Sequence, residues 1–350
     1  MKIMNFDLTA LSPALSMHPA PIDPDSARRF MEEQFAVKGR IRPLRSERDE
    51  NFLVESDTAR FVLKFANPAE AAPITHFQTN AMLHLAQAAP ELPIPRIVQT
   101  SAGKGFAELV APDGSVRIVR LLTFLPGIMV AEVKPTPKLR AQMGTMLARI
   151  DTGLSGFSDP SPLHDLSWDM ERAGQLRPLI GNVAEKANRV LAERALDDFE
   201  AFAEPAFPQL RTQVIHNDLN PFNVLVDEAA HERIVGILDF GDIVRAPLVH
   251  DIAIAASYHV GAASNPLQPV AEMLGGYRTI LPLEPLELEL LPDLIATRLA
   301  MTVLITEWRA AHFPENKPYI LKNHPAAVAG LTRLAQLSRD EARKFLGGGA

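Results

Sequence analysis

The 350-residue sequence contains no cysteine, which excludes disulfide bonds, thiolate zinc sites and a cysteine nucleophile, and which is typical of a reducing compartment. It has no apolar run near the roughly 18 residues that a membrane span requires. It also has no block of lysines and arginines, and its formal net charge is −7, so we expect neither a membrane nor a nucleic acid as partner. The first twenty residues include Asp7 and two prolines where a signal peptide needs an apolar stretch, which favours a cytoplasmic protein.

The first third of the sequence contains short apolar runs and two helical patterns. Several runs are rich in β-branched and aromatic residues, and two of them are joined by a predicted turn at Asp57 and Thr58. Apolar residues at helical spacing follow a proline in two other segments. The predicted strands cover residues 51–56, 60–65 and 116–124, and the predicted helices cover residues 23–35 and 73–88.

The helical period dominates after residue 137. The predicted helices of this part cover residues 137–150, 176–202 and 292–311. Strands with one main helix thus come first and helices follow. This order favours an α+β fold of two lobes over an alternating parallel sheet.

Two polar motifs stand between apolar runs in the second half: HNDLNPFN at residues 216–223 and LDFGD at residues 238–242. Asp218 and Asn223 share a loop that contains a proline and therefore does not become a helix, so their side chains can face one small volume. Asp239 adds a second carboxylate. A carboxylate and an amide oxygen form a hard ligand set that suits Mg²⁺, which takes its other ligands from water and substrate phosphates. Asp218 is then available to accept a proton from a hydroxyl nucleophile, as in phosphoryl transfer.

The two motifs resemble the signature of the kinase-like small-molecule phosphotransferases, which include aminoglycoside phosphotransferases, choline kinases and homoserine kinases of the second type. The resemblance implies a bilobal, protein-kinase-like fold. Residues 1–124 would form a small nucleotide-binding lobe with an antiparallel sheet and one main helix. Residues 125–350 would form a larger, mostly helical lobe for catalysis and acceptor binding. The expected phosphoryl donor is ATP or GTP, together with Mg²⁺.

The same resemblance implies a role for each polar residue of the motifs. Asp218 would be the catalytic base, and His216 would orient its loop rather than transfer protons. Asn223 and Asp239 would hold Mg²⁺. Asn217 stands where relatives more commonly have glycine.

Lys64 is the predicted phosphate-binding lysine of the first lobe. It lies inside an apolar strand, where an unpaired ammonium is costly, and the resemblance assigns it to the α- and β-phosphates. Gln78 occupies the position of the glutamate that pairs with this lysine in most relatives. An amide can accept a hydrogen bond from Lys64 but cannot neutralise it, so Glu70 is the alternative partner.

No glycine-rich loop precedes the lysine. Residues 46–52, SERDENF, stand in its place, and their backbone amides and polar side chains, among them Ser46 and Asn51, are predicted to cover the phosphates. The nucleotide base is expected to meet the backbone at the junction of the two lobes. The residues of this hinge are Thr123, Phe124 and Leu125.

Residues 46–52, 120–127 (RLLTFLPG) and 309–321 (RAAHFPENKPYIL) together resemble the hydroxylysine kinase branch, which phosphorylates the side-chain hydroxyl of 5-hydroxylysine and is associated with GTP. An amino-acid acceptor carries a carboxylate and one or two ammoniums, so its pocket needs an arginine and some acids. The candidate acceptor residues are Asp242, Arg245, Arg298, Trp308, Arg309, Asn316 and Tyr319. Arg298 and Arg309 share one helical face but lie roughly 16 Å apart along its axis, so only one is expected to bind the carboxylate.

Three functions remain open at this point. The first is a kinase of a small hydroxylated amine or amino acid. The second is an aminoglycoside kinase or a homoserine- or choline-type kinase; an aminoglycoside carries several cations and no carboxylate and would favour an acidic cleft. The third is a nucleotide-binding protein that no longer transfers phosphate, which Gln78 and the glycine-poor loop suggest.

Overall fold

The computed structural model describes residues 21–44, 46, 48–110, 114–161, 166–261 and 264–347. The first twenty residues and Glu47 of the predicted phosphate loop lie outside this description. The described residues of the N-terminal lobe form one sheet and two helices. Its strands are β1 (Arg40–Leu44), β2 (Glu50–Glu55), β3 (Arg60–Phe65), β4 (Ile97–Val98), β5 (Ala107–Val110) and β6 (Val116–Thr123), and its helices are α1 (Pro24–Phe35) and α2 (Ala72–Ala88).

The strands of this sheet pair antiparallel in the order β1-β2-β3-β6-β4, and β5 also pairs with β6. Because side chains alternate between the two faces of a strand, one face buries an apolar cluster with α1 that includes Phe52, Leu63 and Phe65. The other face carries polar side chains in register. Lys64 of β3 lies between Asn51 of β2 and Arg120 of β6. The sheet therefore presents two cations side by side.

The C-terminal lobe, over the ranges that the structure describes, is mostly helical and has two small sheets. Its helices are α3 (Pro137–Leu154), α4 (Lys186–Asp198), α5 (Val249–Ser257), α6 (Gln268–Arg278), α7 (Pro285–His312), α8 (Lys317–Ile320), α9 (His324–Leu334) and α10 (Arg339–Leu346). Its short strands are β7 (Ile128–Met129), β8 (Thr212–Ile215), β9 (Val224–Val226), β10 (Ile234–Ile237) and β11 (Val244–Pro247). One sheet has the strand order β10-β9-β7, and the other pairs β11 with β8. The two polar motifs follow β8 and β10.

The predicted two-lobed α+β architecture is confirmed, but three predicted helices of the C-terminal part differ from those observed. The helix predicted over residues 137–150 extends to Leu154 as α3. Residues 176–202 do not form one helix. A 3₁₀ segment, Met170–Asn182, contains Pro178, which lacks the amide that a continuous helix needs, and α4 begins only at Lys186. Helix α7 begins at Pro285 rather than at Pro292, because the carboxylate of Glu287 accepts the amide of Glu284 and caps the earlier start.

Helices α3 and α6 cross at a glycine contact. A Cβ on Gly144 would lie 1.9 Å from the carbonyl oxygen of Met273, and a Cβ on Gly276 would lie 1.8 Å from that of Ala141. Only glycine allows this close backbone approach. Across the part of the chain that the structure describes, each helix is too short or too polar to cross a lipid bilayer.

Candidate active site

A cavity of about 810 Å³ lies between the two lobes. Its volume is typical of a small-molecule site. The cleft-facing side of the sheet forms one wall, and the two polar motifs form another. The predicted site residues that line it are Ser46, Asn51, Lys64, Gln78, Thr123, Phe124, Leu125, Asp218, Asn223, Asp239, Asp242, Arg298, Arg309 and Tyr319.

His216 and Asn217 fix the backbone of the first motif. Both of their amides donate to the carboxylate of Asp251, each at 2.8 Å. Asn217 has a φ of 66°, which is a left-handed backbone conformation. Glycine adopts this conformation most easily, and asparagine tolerates it better than most other residues. Asparagine can therefore occupy the position where relatives have glycine. His216 is fully buried; its Nδ1 accepts the amide of Asp218 at 3.2 Å, and its Nε2 lies 3.2 Å from the carbonyl oxygen of Leu238. This geometry supports an orienting role.

Asp218 faces the cavity, and each of its carboxylate oxygens contacts a polar side chain. Oδ2 accepts hydrogen bonds from the side-chain amides of Asn223 at 2.7 Å and Asn220 at 2.9 Å, and Oδ1 lies 3.8 Å from Nη2 of Arg298. Burial raises the pKa of Asp218, and the charge of Asp242 raises it further, whereas Arg298 opposes both. The resulting pKa is about 7. A carboxylate with this pKa can accept or release a proton near neutral pH.

Asn223 and Asp239 lie beside each other because their segments are hydrogen-bonded. The amide of Leu238 donates to the carbonyl oxygen of Asn223 at 2.7 Å. Asn223 donates from Nδ2 to the carbonyl oxygen and to Oδ2 of Asp218, which directs its own Oδ1 away from Asp218. Burial raises the pKa of Asp239, but the charges of Lys64 and Arg48 outweigh burial, and the net shift is downward.

These two oxygen ligands fit Mg²⁺ when the nucleotide supplies the rest. An amide oxygen and an ionised carboxylate are hard ligands, and Mg²⁺ keeps several water or phosphate ligands in such sites. Within the described ranges, no group of three or more histidine, aspartate or glutamate side chains is arranged to hold a metal ion. The donor set therefore suits a metal that arrives with phosphates rather than one held in a protein cage.

The charge partner of Lys64 is Asp49, which the sequence pattern did not identify. Nζ of Lys64 lies 3.4 Å from Oδ2 of Asp49. Gln78 points elsewhere: its Nε2 donates to the carbonyl oxygen of Gly241 at 2.9 Å and lies 3.5 Å from Oε1 of Glu70. The expectation that Gln78 or Glu70 pairs with Lys64 is thus corrected. Gln78 instead connects the two lobes.

Arg120 is a second cation that the sequence pattern missed. It is 4% exposed, lines the cavity and lies opposite Lys64 in the sheet. Like charges opposite each other in an antiparallel pair repel, so they need anions nearby. Glu70 is one: burial and Asp49 raise its pKa, and Arg120 is among the cations that lower it. The signal that identified Lys64, a cation inside an apolar strand, also applies to VRIVRLLT at residues 116–123.

Four described residues of the segment 46–52 line the cavity: Ser46, Arg48, Asp49 and Asn51. Ser46 is exposed there, and Asn51 lies in the wall. Nη2 of Arg48 donates to Oδ1 of Asp242 at 2.6 Å. Asp242, a predicted acceptor residue, is therefore paired with an arginine of the other lobe.

At the predicted hinge of residues 123–125, two of the three backbone amides already donate hydrogen bonds within the protein. The amide of Thr123 donates to the carbonyl oxygen of Arg96 at 2.9 Å, and that of Phe124 donates to the carbonyl oxygen of Arg60 at 3.0 Å. No hydrogen bond from the Leu125 amide to another described residue is present. Leu125 is thus the hinge amide best placed to bind a nucleotide base.

Arg298 contacts the predicted base. Its Nη1 donates to the carbonyl oxygen of Trp168 at 2.9 Å, and its guanidinium lies 4.8 Å from the centre of the Trp168 ring. These contacts hold Nη2 toward Asp218, and the side chain is only 2% exposed. Arg298 is therefore committed to contacts within the protein, which makes it a poor candidate for binding the acceptor carboxylate.

Arg309, Tyr319 and Lys322 line the cavity farther along. Nζ of Lys322 lies 4.5 Å from the centre of the Phe222 ring and 4.4 Å from that of Tyr319, and it donates to the hydroxyl of Tyr319 at 3.4 Å. This end of the cavity is therefore basic. Lys322 follows the segment 309–321 directly and was not identified from the sequence.

Arg245, Trp308 and Asn316 do not line the cavity, which corrects their prediction as acceptor residues. Arg245 is exposed on β11, because its neighbours in the strand face inward and alternation turns it outward. Trp308 is buried and stacks on His312 at 3.9 Å between ring centres. It precedes Arg309 by one position and so points to another side of α7. Asn316 lies in a 3₁₀ turn after α7.

Similar proteins share this architecture. An amicoumacin kinase in complex with AMP-PNP and Ca²⁺ has a TM-score of 0.66 at 15% identity, over 93% of this chain and 94% of that chain. A spectinomycin phosphotransferase in complex with ADP has a TM-score of 0.63 at 14% identity, over 94% and 99%. Likeness at this level of identity shows the fold, and it confirms the kinase-like fold that the motifs implied.

Sequence comparison gives the family. A hydroxylysine kinase of Mus musculus is 27% identical over 336 residues, which cover 89% of this chain and 88% of that protein. A homoserine kinase of Azorhizobium caulinodans is 29% identical over 273 residues, or 74% and 77%. Residues 40–285 match the phosphotransferase enzyme family, APH. The chain therefore belongs to the phosphotransferase enzyme family, and it is a small-molecule phosphotransferase.

Proposed function

We propose that this chain transfers the γ-phosphoryl group of ATP or GTP, with Mg²⁺, to the hydroxyl of a small amino acid similar to 5-hydroxylysine. The nucleotide would bind mainly to the lobe of residues 1–124, and the acceptor to the lobe of residues 125–350. The similarity to hydroxylysine kinases extends over most of the chain and supports this acceptor class.

The observation that carries the proposal is a basic wall in the same cavity as Asp218. Arg309 and Lys322 of the C-terminal lobe line this wall, whereas the charge of Arg298 is balanced by Asp218 and does not add to theirs. A basic wall attracts a carboxylate and repels a polycation. It therefore favours an amino-acid acceptor over an aminoglycoside.

Phosphoryl transfer depends mainly on positioning and charge neutralisation. Lys64 and Arg120 would bind phosphate oxygens, and Asn223 and Asp239 would hold Mg²⁺, which neutralises phosphate charge when bound. The acceptor hydroxyl would lie beside Asp218 and attack the γ-phosphorus in line. The bond from phosphorus to the bridging oxygen breaks, the nucleoside diphosphate leaves, and the hydroxyl proton passes late to Asp218.

The test is phosphorylation of a panel of acceptors with ATP and with GTP, followed by mass spectrometry of the product. We expect transfer to 5-hydroxylysine, loss of transfer when Mg²⁺ is chelated, and little transfer to aminoglycosides. Transfer to an aminoglycoside alone would refute the acceptor class. A chain that binds nucleotide but phosphorylates nothing in the panel would match the catalytically silent alternative, against which its family membership speaks.

Homoserine is the second candidate acceptor. Two homoserine kinases are 29% and 30% identical to this chain over 74% and 73% of its length. Homoserine also carries a carboxylate, so the basic wall suits it equally. Hydroxylysine has a longer side chain and a second ammonium, so the ratio of kcat/KM for the two acceptors separates them.

A further inference from the structure

Arg48 is the one cationic residue in the glycine-free segment 46–52, and its side chain faces the cavity. Two neighbours of Arg48 lie beside Lys64: Asp49 contacts that lysine, and Asn51 is its register partner. The side chain of Arg48 lines the cavity and is 21% exposed. A glycine-rich loop binds phosphates through closely approaching backbone amides. Here a guanidinium stands at the same place.

Both ends of Arg48 are fixed. Its carbonyl oxygen accepts a hydrogen bond from Nδ2 of Asn67 at 3.1 Å, and the backbone amide of Asn67 donates to the carboxylate of Asp49 at 3.2 Å. These bonds fix the backbone of Arg48 to the N-terminal lobe. Its Nη2 donates to Asp242 of the C-terminal lobe, which lies three residues after Asp239 in the sequence. The guanidinium is therefore held between the lobes, beside the proposed Mg²⁺ ligand.

The guanidinium of Arg48 has hydrogen-bonding capacity to spare. An arginine carries five N–H donors, and its planar fork matches the oxygens of a phosphate group. In the described part of the chain, the bond to Asp242 is the one hydrogen bond that this guanidinium makes. The charge of Asp242 raises the pKa of Arg48 despite burial, with Asp239 and Glu70 contributing, so the group stays cationic.

We infer that Arg48, anchored by Asp242, binds the terminal phosphate oxygens of the nucleotide and replaces a glycine-rich loop in that task. The inference rests on the proposed function, because it requires a nucleoside triphosphate in the cavity. Arg48 is then a phosphate-binding residue. Asp242 is a positioning residue, since it acts through Arg48 and not on the acceptor.

Calorimetric titration of the full chain with Mg²⁺ and a non-hydrolysable triphosphate analogue, and separately with Mg²⁺ and the diphosphate, tests this inference. Arg48→Gln is expected to weaken binding of the analogue about ten- to hundredfold, the usual effect of losing a hydrogen bond to a charged group. The diphosphate lacks the terminal phosphate and should lose much less. Arg48→Lys should recover part of the affinity for the analogue. The affinity of Asp242→Asn should lie between those of the wild type and Arg48→Gln. Arg42→Gln removes the same charge from the exposed face of β1 and serves as the control.

Equal binding of the analogue by wild type and Arg48→Gln would overturn the inference, and so would an equal loss for both nucleotides. The titration contains no acceptor, so an error in the acceptor class does not affect it. A wild-type chain that binds neither nucleotide would refute the proposed function, and this inference with it. If thermal melting shows Arg48→Gln to be unfolded, Arg48→Lys and Asp242→Asn decide by the same comparison of the two nucleotides.

Discussion

Replacing Arg298 with methionine should shift the pH dependence of catalysis. Methionine keeps much of the side-chain length and apolar contact but removes the positive charge that lies 3.8 Å from Asp218. Burial and Asp242 raise the pKa of Asp218, and Arg298 is the group that lowers it most. Without Arg298, the carboxylate should retain its proton to higher pH. A proton acceptor works only when deprotonated, so the acid limb of the rate profile should move upward.

The size of this shift follows from the distance. Two unit charges 3.8 Å apart interact by about 4 kcal/mol at an effective dielectric constant of ~20, which corresponds to about 3 pKa units. The side chain of Asp218 is 19% exposed, and solvent screens part of this interaction. We therefore expect a shift of about one to two pKa units. Because the pKa of Asp218 is about 7 in the wild type, half of the carboxylate is ionised at pH 7, and the shift should lower kcat/KM there by about five- to fiftyfold.

The assay is kcat/KM for the acceptor across the pH range at saturating nucleotide, with Arg309→Met as the matched control. Arg309 lies on the same helix and lines the cavity, but Arg298 is the arginine in contact with Asp218. Arg309→Met should raise the acceptor KM and leave the acid limb in place. An unmoved acid limb in Arg298→Met, with wild-type activity at neutral pH, would refute the proposed link between Arg298 and Asp218.

Two further predictions concern stability. Burial and the neighbouring Asp251 raise the pKa of Asp151 well above its usual value, so the folded state holds a proton that the unfolded state releases. Stability therefore falls as the pH rises above the ordinary pKa of an aspartate. Asp151→Asn should flatten the decline in melting temperature from weakly acid to alkaline pH, and an unchanged decline would contradict the assignment. Gly144→Ala places a methyl group against the backbone of Met273 and should cost about 1–3 kcal/mol of unfolding free energy in urea. Gly275→Ala, with open space around it, should stabilise by up to about 1 kcal/mol, and equal effects of the two would refute the close contact.

The polar motifs were readable from the sequence because their geometry is local. Asn220 and Asn223 reach Asp218 within a single loop, so spacing alone brings them together. The buried strand around Lys64 was recognisable for a similar reason, since one ammonium in an apolar run predicts a nearby anion. Local chemistry of this kind does not depend on how the lobes pack.

The contacts between distant segments were not readable in this way. Arg48 and Asp242 are 194 positions apart and meet only because the two lobes close on each other. The choice of Asp49 as partner of Lys64 depends on the path of a loop that has no periodic pattern. The separate tasks of Arg298 and Arg309 follow from Trp168, which arrives from a different segment and holds Arg298. Spacing on one helix could not supply that information.

The most direct test combines phosphoryl transfer and nucleotide binding in wild type and Asp218→Asn. The wild type should phosphorylate the hydroxyl of 5-hydroxylysine in the presence of Mg²⁺ and ATP or GTP. Asp218→Asn should lose this transfer about a hundred- to ten-thousandfold, the range of general base catalysis, and should bind the nucleotide nearly as well as the wild type. Transfer by Asp218→Asn at the wild-type rate would contradict the account, as would a wild type that transfers phosphate to none of the carboxylate-bearing hydroxy-amines.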